Sequence, residues 1–235
     1  MILIPLIAAI LIAPLPGVQA APQPEMMTYQ MVLLKKGPTP PPAAPDAQKK
    51  MQDQHLANLA ELNRKRVNVL YGPILAEGNL AGIAILAVPN AEEAKKAFAD
   101  DPFVKAGIMT VEVRPWMGPK DWFSLPPSYD VTNPASLEPL VFGFLVRRPS
   151  PPAIDAATSA EIQKGHLAYM EGLHAQGKLP VAGPFLDDTT SRGIVVYRVK
   201  DVAEAQALAA EDPAVKAGRL MLEAYPWMTF KGILK

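Results

Sequence analysis

The apolar residues of this chain follow two periods, one typical of strands and one typical of helices. Short apolar runs of strand length cover residues 29–34 and 140–146, and a proline-rich loop follows each of them. Further runs, rich in β-branched residues, cover 82–88 and 193–199. These four segments predict buried strands.

Helical periodicity begins after each proline-rich loop. In the first half, the apolar positions of a helix predicted over 46–66 are separated by four, four and three residues, which places them on one face. They are Met51, His55, Leu59 and Leu62. The corresponding positions of the second half are Ile162, His166, Met170 and Leu173. Each half therefore predicts a helix with a histidine on its apolar face.

A second helix in each half is predicted from its ends. Asn90 and Asp201 are each followed three residues later by glutamate, which fits a capping box. Each helix must end near the Asp-Pro pair that begins at Asp101 or Asp212, because the residue before proline disfavours the helical conformation. A final strand then leads into the sequence Pro-Trp-Met in both halves.

The two halves are copies of one domain. Residues 55–117 align without a gap on residues 166–228, and 23 of these 63 positions are identical at a constant offset of 111. The element order of each copy, β-α-β-β-α-β, is that of a ferredoxin-like unit. Because a four-stranded sheet backed by two helices leaves one face bare, we expect the two copies to cover each other.

Residues 1–20 differ from the rest of the chain. They carry no charge, and an apolar run broken by prolines ends in the small-x-small sequence Val18-Gln19-Ala20. We predict a signal peptide that is removed after Ala20, which makes the protein periplasmic or secreted. A retained anchor is the alternative, since no Lys or Arg precedes the apolar run.

Four segments follow from these patterns. They are the signal peptide (1–20), a first domain (27–117), a proline-rich linker (118–139) and a second domain (140–235). Because the linker contains Trp122, Phe123 and Tyr129, we expect it to lie against the domains.

Composition removes several classes of function. Lys and Arg together number 23, as do Asp and Glu, so no net field attracts nucleic acid or, once the leader is removed, an anionic membrane. Cysteine is absent, which excludes disulfides and thiolate chemistry. The three histidines do not have a metal-binding spacing, and no glycine-rich phosphate loop occurs. We predict no cofactor, no metal and no nucleic-acid partner.

The remaining candidates for chemistry each have a structural alternative. His55 and His166 are either core residues or general bases, since a histidine with a carboxylate partner can abstract a proton. Asp101 and Asp212 fit N-caps of a short turn with proline at its first position. The pair Asp187-Asp188 is predicted to occupy a solvated loop.

Several short motifs occur in the same order in both copies. These are a helix with His, then Gly-Pro, then Glu-Ala, then Asp-Pro, Ala-Gly and Pro-Trp. In this the chain resembles the YCII-related family over nearly its whole length after the leader. The resemblance implies the dimeric α+β barrel fold, here as an intrachain pseudo-dimer of two ferredoxin-like βαββαβ domains.

The resemblance also implies a site in each copy. The family's proposed His/Asp pair matches His55 with Asp101, and His166 with Asp212. Family and superfamily members include a dehydrochlorinase and muconolactone isomerase, which implies proton transfer without a cofactor on a small organic acid or phenolic compound. A binding or sensing module without turnover, and a purely structural pseudo-dimer, are the alternatives. Further association into a homo-oligomer stays open.

Overall fold

A computed structural model describes residues 25–120, 122–124 and 133–234 of the chain. The elements of the first copy are β1 (Met26–Lys36), α1 (Pro45–Arg64), β2 (Asn68–Pro73), β3 (Leu80–Leu86), α2 (Ala91–Phe98), α3 (Pro102–Lys105) and β4 (Met109–Pro119). After a 3₁₀ turn at Pro134–Ser136, the elements of the second copy are β5 (Leu137–Arg147), α4 (Ala156–Ala175), β6 (Val181–Pro184), β7 (Ser191–Tyr197), α5 (Val202–Glu211), α6 (Pro213–Lys216) and β8 (Leu220–Phe230).

Each copy forms one antiparallel four-stranded sheet. The strand orders are β2-β3-β1-β4 and β6-β7-β5-β8, the same order in both copies. In each copy the first strand pairs with the last one along its whole length, β1 with β4 and β5 with β8. Tyr29 lies opposite Trp116, and its repeat equivalent Leu140 lies opposite Trp227. The predicted α+β class with two ferredoxin-like units is confirmed.

The predicted caps begin the second helix of each copy. The Asn90 side chain accepts a hydrogen bond from the Glu93 amide at 2.9 Å, and Asp201 accepts one from Glu204 at 2.9 Å. The first helix of the first copy begins at Pro45, where a missing amide hydrogen costs nothing. It is followed by Arg66 in a left-handed conformation (φ 59°), which turns the chain into β2.

The two sheets join edge to edge and enclose one apolar core. The Leu75 amide donates to the Pro226 carbonyl at 2.8 Å, and the Leu186 amide donates to the Pro115 carbonyl at 2.9 Å. These equivalent bonds connect the end of β2 to β8 and the end of β6 to β4. One cluster of buried side chains, including Met31 of the first copy, extends across both sheets. The sheet faces left bare by the helices therefore cover each other, and the barrel lies within one chain.

The Gly-Pro and Pro-Trp motifs meet where the barrel closes. Trp116 and Trp227 are fully buried, and each indole packs against a glycine of the other copy. A Cβ atom at Gly72 would lie 2.9 Å from Nε1 of Trp227, and one at Gly183 would lie 2.8 Å from Cζ2 of Trp116. These short motifs therefore hold the two copies together.

The described part of the linker lies on the domains, as its aromatic residues predict. The Ser124 amide donates to the Ile233 carbonyl at 2.7 Å, and the Trp122 ring stacks on His174 with centroids 5.0 Å apart. The predicted contact of Tyr129 and the predicted signal peptide both fall outside the described residues. Among the residues described, no helix combines the length and apolarity needed to cross a membrane.

Candidate active site

The helix pattern places each predicted histidine at the contact between the long helix and the one-turn helix of its copy. His55 is buried on α1 together with Leu59 and Leu62, the apolar face that the spacing predicts. Asp101 immediately precedes α3, whose first residue is Pro102. Because α1 packs on the start of α3, the two side chains come together.

The first pair is a short, buried hydrogen bond. Nδ1 of His55 lies 2.6 Å from Oδ2 of Asp101, with side-chain exposures of 10% and 1%. The other carboxylate oxygen, Oδ1, accepts a hydrogen bond from the Phe103 amide at 3.1 Å. Asp101 therefore caps α3 with one oxygen and holds His55 with the other.

The second copy repeats the arrangement. Nδ1 of His166 lies 2.7 Å from Oδ2 of Asp212, with side-chain exposures of 13% and 1%. Oδ1 of Asp212 accepts a hydrogen bond from the Ala214 amide at 2.8 Å. The structure thus brings together all four predicted site residues, as two separate pairs.

The second nitrogen of each imidazole has no partner in the described part of the chain and is not fully buried. Nε2 of His55 and of His166 has no hydrogen-bond partner among the described residues, and neither atom belongs to the fully buried side-chain atoms that lack one. Because the carboxylate accepts from Nδ1, the proton of a neutral ring stays on Nδ1 and Nε2 presents a lone pair. Each pair is therefore arranged to accept a proton from outside.

The two pairs differ in their immediate surroundings. Nδ2 of Asn58 donates a third hydrogen bond to Asp101, at 3.3 Å, and the edge of the Phe103 ring contacts His55. The residue equivalent to Asn58 is Tyr169, whose hydroxyl donates to the Leu208 carbonyl at 2.8 Å. Burial, with the nearby charge of Asp212, raises the pKa of Tyr169. The pairs are thus alike in geometry but not in what a substrate would contact.

The space below the second pair is filled by side chains. Met170, Leu173 and Tyr197 are buried between the sheet and the helices, and Tyr197 is fully inaccessible. Burial, and then the charge of Asp212, raises the pKa of Tyr197, whose hydroxyl has no partner among the described residues. Nε2 of His166 is therefore closed off from the inside of its domain by these side chains.

Sequence reasoning missed one partly buried ion pair between the copies. Arg114 of β4 donates to both carboxylate oxygens of Asp187, at 2.8 and 2.5 Å, and its guanidinium lies 3.4 Å from the centre of the Phe185 ring. The predicted solvated loop is thus wrong for Asp187, although Asp188 is 88% exposed. The sequence carries one signal of this contact: the two copies differ at this repeat position, where the first has Arg114 and the second has Tyr225.

The fold is shared with known structures. The chain is similar to a chlorite dismutase variant from Candidatus Nitrospira defluvii, with 9% identity, a TM-score of 0.52, and coverage of 88% of this chain and 92% of that chain. It is also similar to a haem-binding protein from Thermus thermophilus, with 12% identity, a TM-score of 0.50, and coverage of 88% and 93%. Likeness at these identities shows the fold alone.

The second copy leaves no room for a haem between its sheet and its helices. A haem requires a flat apolar slot beside an axial ligand. In the second copy that layer is occupied by buried Met170, Leu173, Leu179 and Tyr197. No step of the proposed chemistry therefore involves a haem.

The sequence comparison agrees with the fold. No curated protein matches the chain significantly in sequence. The family model for the YCII-related domain matches it twice, over residues 27–117 and 144–231. The chain therefore belongs to the YCII-related domain family, as a tandem duplication whose two copies form the dimeric α+β barrel within one polypeptide.

Proposed function

We propose that the chain is a cofactor-independent enzyme of the lyase or isomerase type that transfers protons on a small organic acid or phenolic compound. His55 and His166 are the general bases, and Asp101 and Asp212 orient them. The observation that carries this proposal is the same in both copies: Nδ1 is held by a buried carboxylate at 2.6 or 2.7 Å, while Nε2 has no partner among the described residues and is not fully buried.

This geometry suits a base because the carboxylate acts before and after the proton moves. It keeps the proton of the neutral ring on Nδ1, and it stabilises the positive charge once Nε2 has taken a second proton. The carboxylate itself is fixed by the amide of the residue two positions later, so that reorientation is not required during turnover. General-base groups placed in this way contribute about 10²–10⁴ in rate.

The proton balance is simple in either reaction type. Nε2 takes a proton from a carbon beside a carbonyl group or from a phenolic hydroxyl, and the electron pair moves into the substrate. In an isomerisation the imidazolium returns the proton at another carbon. In an elimination the electron pair expels a leaving group, and the proton passes to solvent.

Deuterium exchange tests this function even while the product of the reaction is unidentified. Small carboxylic acids, lactones and phenols are incubated with the protein in D₂O, and loss of carbon-bound protons is followed by NMR. We expect exchange with at least one class, reduced by about 100-fold in the double variant His55→Gln, His166→Gln. The matched control is His174→Gln, because His174 binds the Leu179 carbonyl through Nδ1 and belongs to neither pair. Exchange that survives in the double variant contradicts the proposal.

A binding module without turnover is the second candidate. The observation that favours it is a cavity between the two sheets, lined by Glu223 and Tyr225, which lies apart from both histidine pairs.

Export through the predicted signal peptide is part of either proposal, and N-terminal sequencing of the mature protein tests it: a first residue at Ala21 supports export, and an intact Met1 contradicts it.

A further inference from the structure

The cavity between the two sheets is formed by matching positions of both copies. Its volume is about 360 Å³, at the lower end of the range for small-molecule sites. Four pairs of lining residues are related by the repeat offset: Leu33 with Phe144, Leu80 with Ser191, Glu112 with Glu223, and Arg114 with Tyr225. The cavity therefore lies where the pseudo-twofold axis of the barrel passes, and neither copy forms it alone.

The two sides of this cavity have diverged. Two identical subunits around a twofold axis would present identical residues on both sides. Here one side has Arg114 and Leu33, while the other has Tyr225 and Phe144, whose rings meet edge to face with centroids 6.3 Å apart. Fusion of the copies in one chain permits an aromatic wall on one side only.

The basic groups of the cavity are already neutralised. Arg114 binds both oxygens of Asp187 and also donates to the Ser191 carbonyl at 2.9 Å. Lys35 forms an ion pair with Glu112. Neither cation is therefore left to attract an anionic ligand.

Two carboxylates of the cavity, Glu77 and Glu223, form no salt bridge with any described residue, and Glu223 is the one that lies beside the aromatic wall. Glu223 lines the cavity and forms no salt bridge with any described residue, whereas its repeat equivalent Glu112 is paired. Glu223 lies close enough to Tyr225 to affect its hydroxyl, because burial and, second, the charge of Glu223 raise the pKa of Tyr225. A carboxylate beside two aromatic rings attracts a cation both by charge and through the ring faces.

The geometry points to a binding site for a small organic cation, an ammonium group on an aromatic or apolar body, in the cavity between the sheets. Glu223 is the counter-ion, Phe144 and Tyr225 form the wall around the ammonium group, and Leu33 contacts the apolar body. This site is separate from the histidine pairs and does not depend on the proposed proton transfer.

Calorimetric titration with three ligands of similar shape tests the site. Benzylamine is cationic at neutral pH, benzyl alcohol is neutral and benzoate is anionic. We expect one benzylamine per chain, with benzyl alcohol and benzoate bound about fivefold more weakly or not at all. Equal binding of benzylamine and benzyl alcohol, or tighter binding of benzoate that persists in the double variant His55→Gln, His166→Gln, overturns the inference.

Variants locate the bound cation. The double variant Glu77→Gln, Glu223→Gln, at two exposed side chains, is expected to bind benzylamine no better than benzyl alcohol, and Tyr225→Leu is expected to weaken benzylamine binding about fivefold. The control Glu61→Gln changes a carboxylate of α1 that does not line the cavity, and it should leave binding unchanged. The double variant His55→Gln, His166→Gln should also bind benzylamine as the native chain does. A preference for benzylamine that persists in Glu77→Gln, Glu223→Gln contradicts the site.

Discussion

At the scale of single residues, Asp101 and Asp212 serve two purposes because their two oxygens have different partners. Oδ1 caps a one-turn helix, and Oδ2 holds the imidazole. The Asp-Pro sequence predicts the cap without further information. The histidine contact depends on how α1 and α3 pack, so at the level of sequence only the family resemblance indicated it.

Substitution of Asp101 separates the cap from the histidine contact. Asn caps helices about as well as Asp, so Asp101→Asn should keep α3, while Asp101→Ala should be less stable than Asp101→Asn by about 1 kcal/mol. Unfolding by urea measures this difference. Equal stability of the two variants would show that the cap contributes nothing.

Tertiary contact also governs which glycine of α4 tolerates a side chain. A Cβ at Gly165 would lie 3.2 Å from Cγ of Pro213, whereas a Cβ at Gly172 meets nothing within 4 Å. Gly172→Ala should therefore stabilise the protein by about 1 kcal/mol, since alanine favours the helix. Gly165→Ala should gain less or lose stability, because the new methyl group presses on the turn that contains Asp212. Thermal unfolding of both variants checks the prediction, and an equal gain would contradict it.

At the scale of elements, local signals determined most of the structure. The capping boxes at Asn90 and Asp201, and the apolar helix face around His55, all occur where the sequence predicts them. The contact of Arg114 with Asp187 was not predicted, since it joins a strand of one copy to a loop of the other. Neither local periodicity nor repeat identity indicates which side chains meet across two sheets.

The ion pair of Arg114 with Asp187 makes stability depend on pH. The guanidinium lowers the pKa of Asp187, so the pair stabilises the fold above the ordinary aspartate pKa of about 4. This contribution is lost as the pH falls towards the lowered value, because the carboxylate is then protonated in the folded state as well. Unfolding between pH 6 and pH 3 should show a smaller loss in Asp187→Asn than in the native chain. Identical pH profiles would rule out this contribution.

At the scale of the whole molecule, two of the motifs shared by the copies, Gly-Pro and Pro-Trp, are those that join them. Gly72 and Gly183 admit the opposite tryptophan, and Pro115 and Pro226 accept the backbone bonds that close the barrel. The repeat predicts that the copies associate, and the structure adds that Trp116 packs on Gly183 and Trp227 on Gly72. The cavity on the axis between the copies is lined by repeat positions at which the residues differ, above all Arg114 and Tyr225.

A methyl group at the barrel seam should separate the copies. The Cβ of Gly72→Ala would overlap the Met228 carbonyl, which neighbouring strands hold in place. We expect a loss of about 3 kcal/mol in the free energy of unfolding, compared with a gain for Gly172→Ala. Chemical denaturation measures both, and a seam variant as stable as the native chain would contradict the assigned packing.

The central claim, an aspartate-held imidazole with Nε2 free to take a proton, is tested most directly by long-range ¹H–¹⁵N NMR of the three histidines. We expect neutral His55 and His166 to carry their proton on Nδ1. We also expect Asp101→Asn to shift only the His55 signals and Asp212→Asn to shift only those of His166, with His174 as the unchanged reference. A proton on Nε2 in either neutral ring would contradict the claim, and so would His55 and His166 signals that neither substitution shifts.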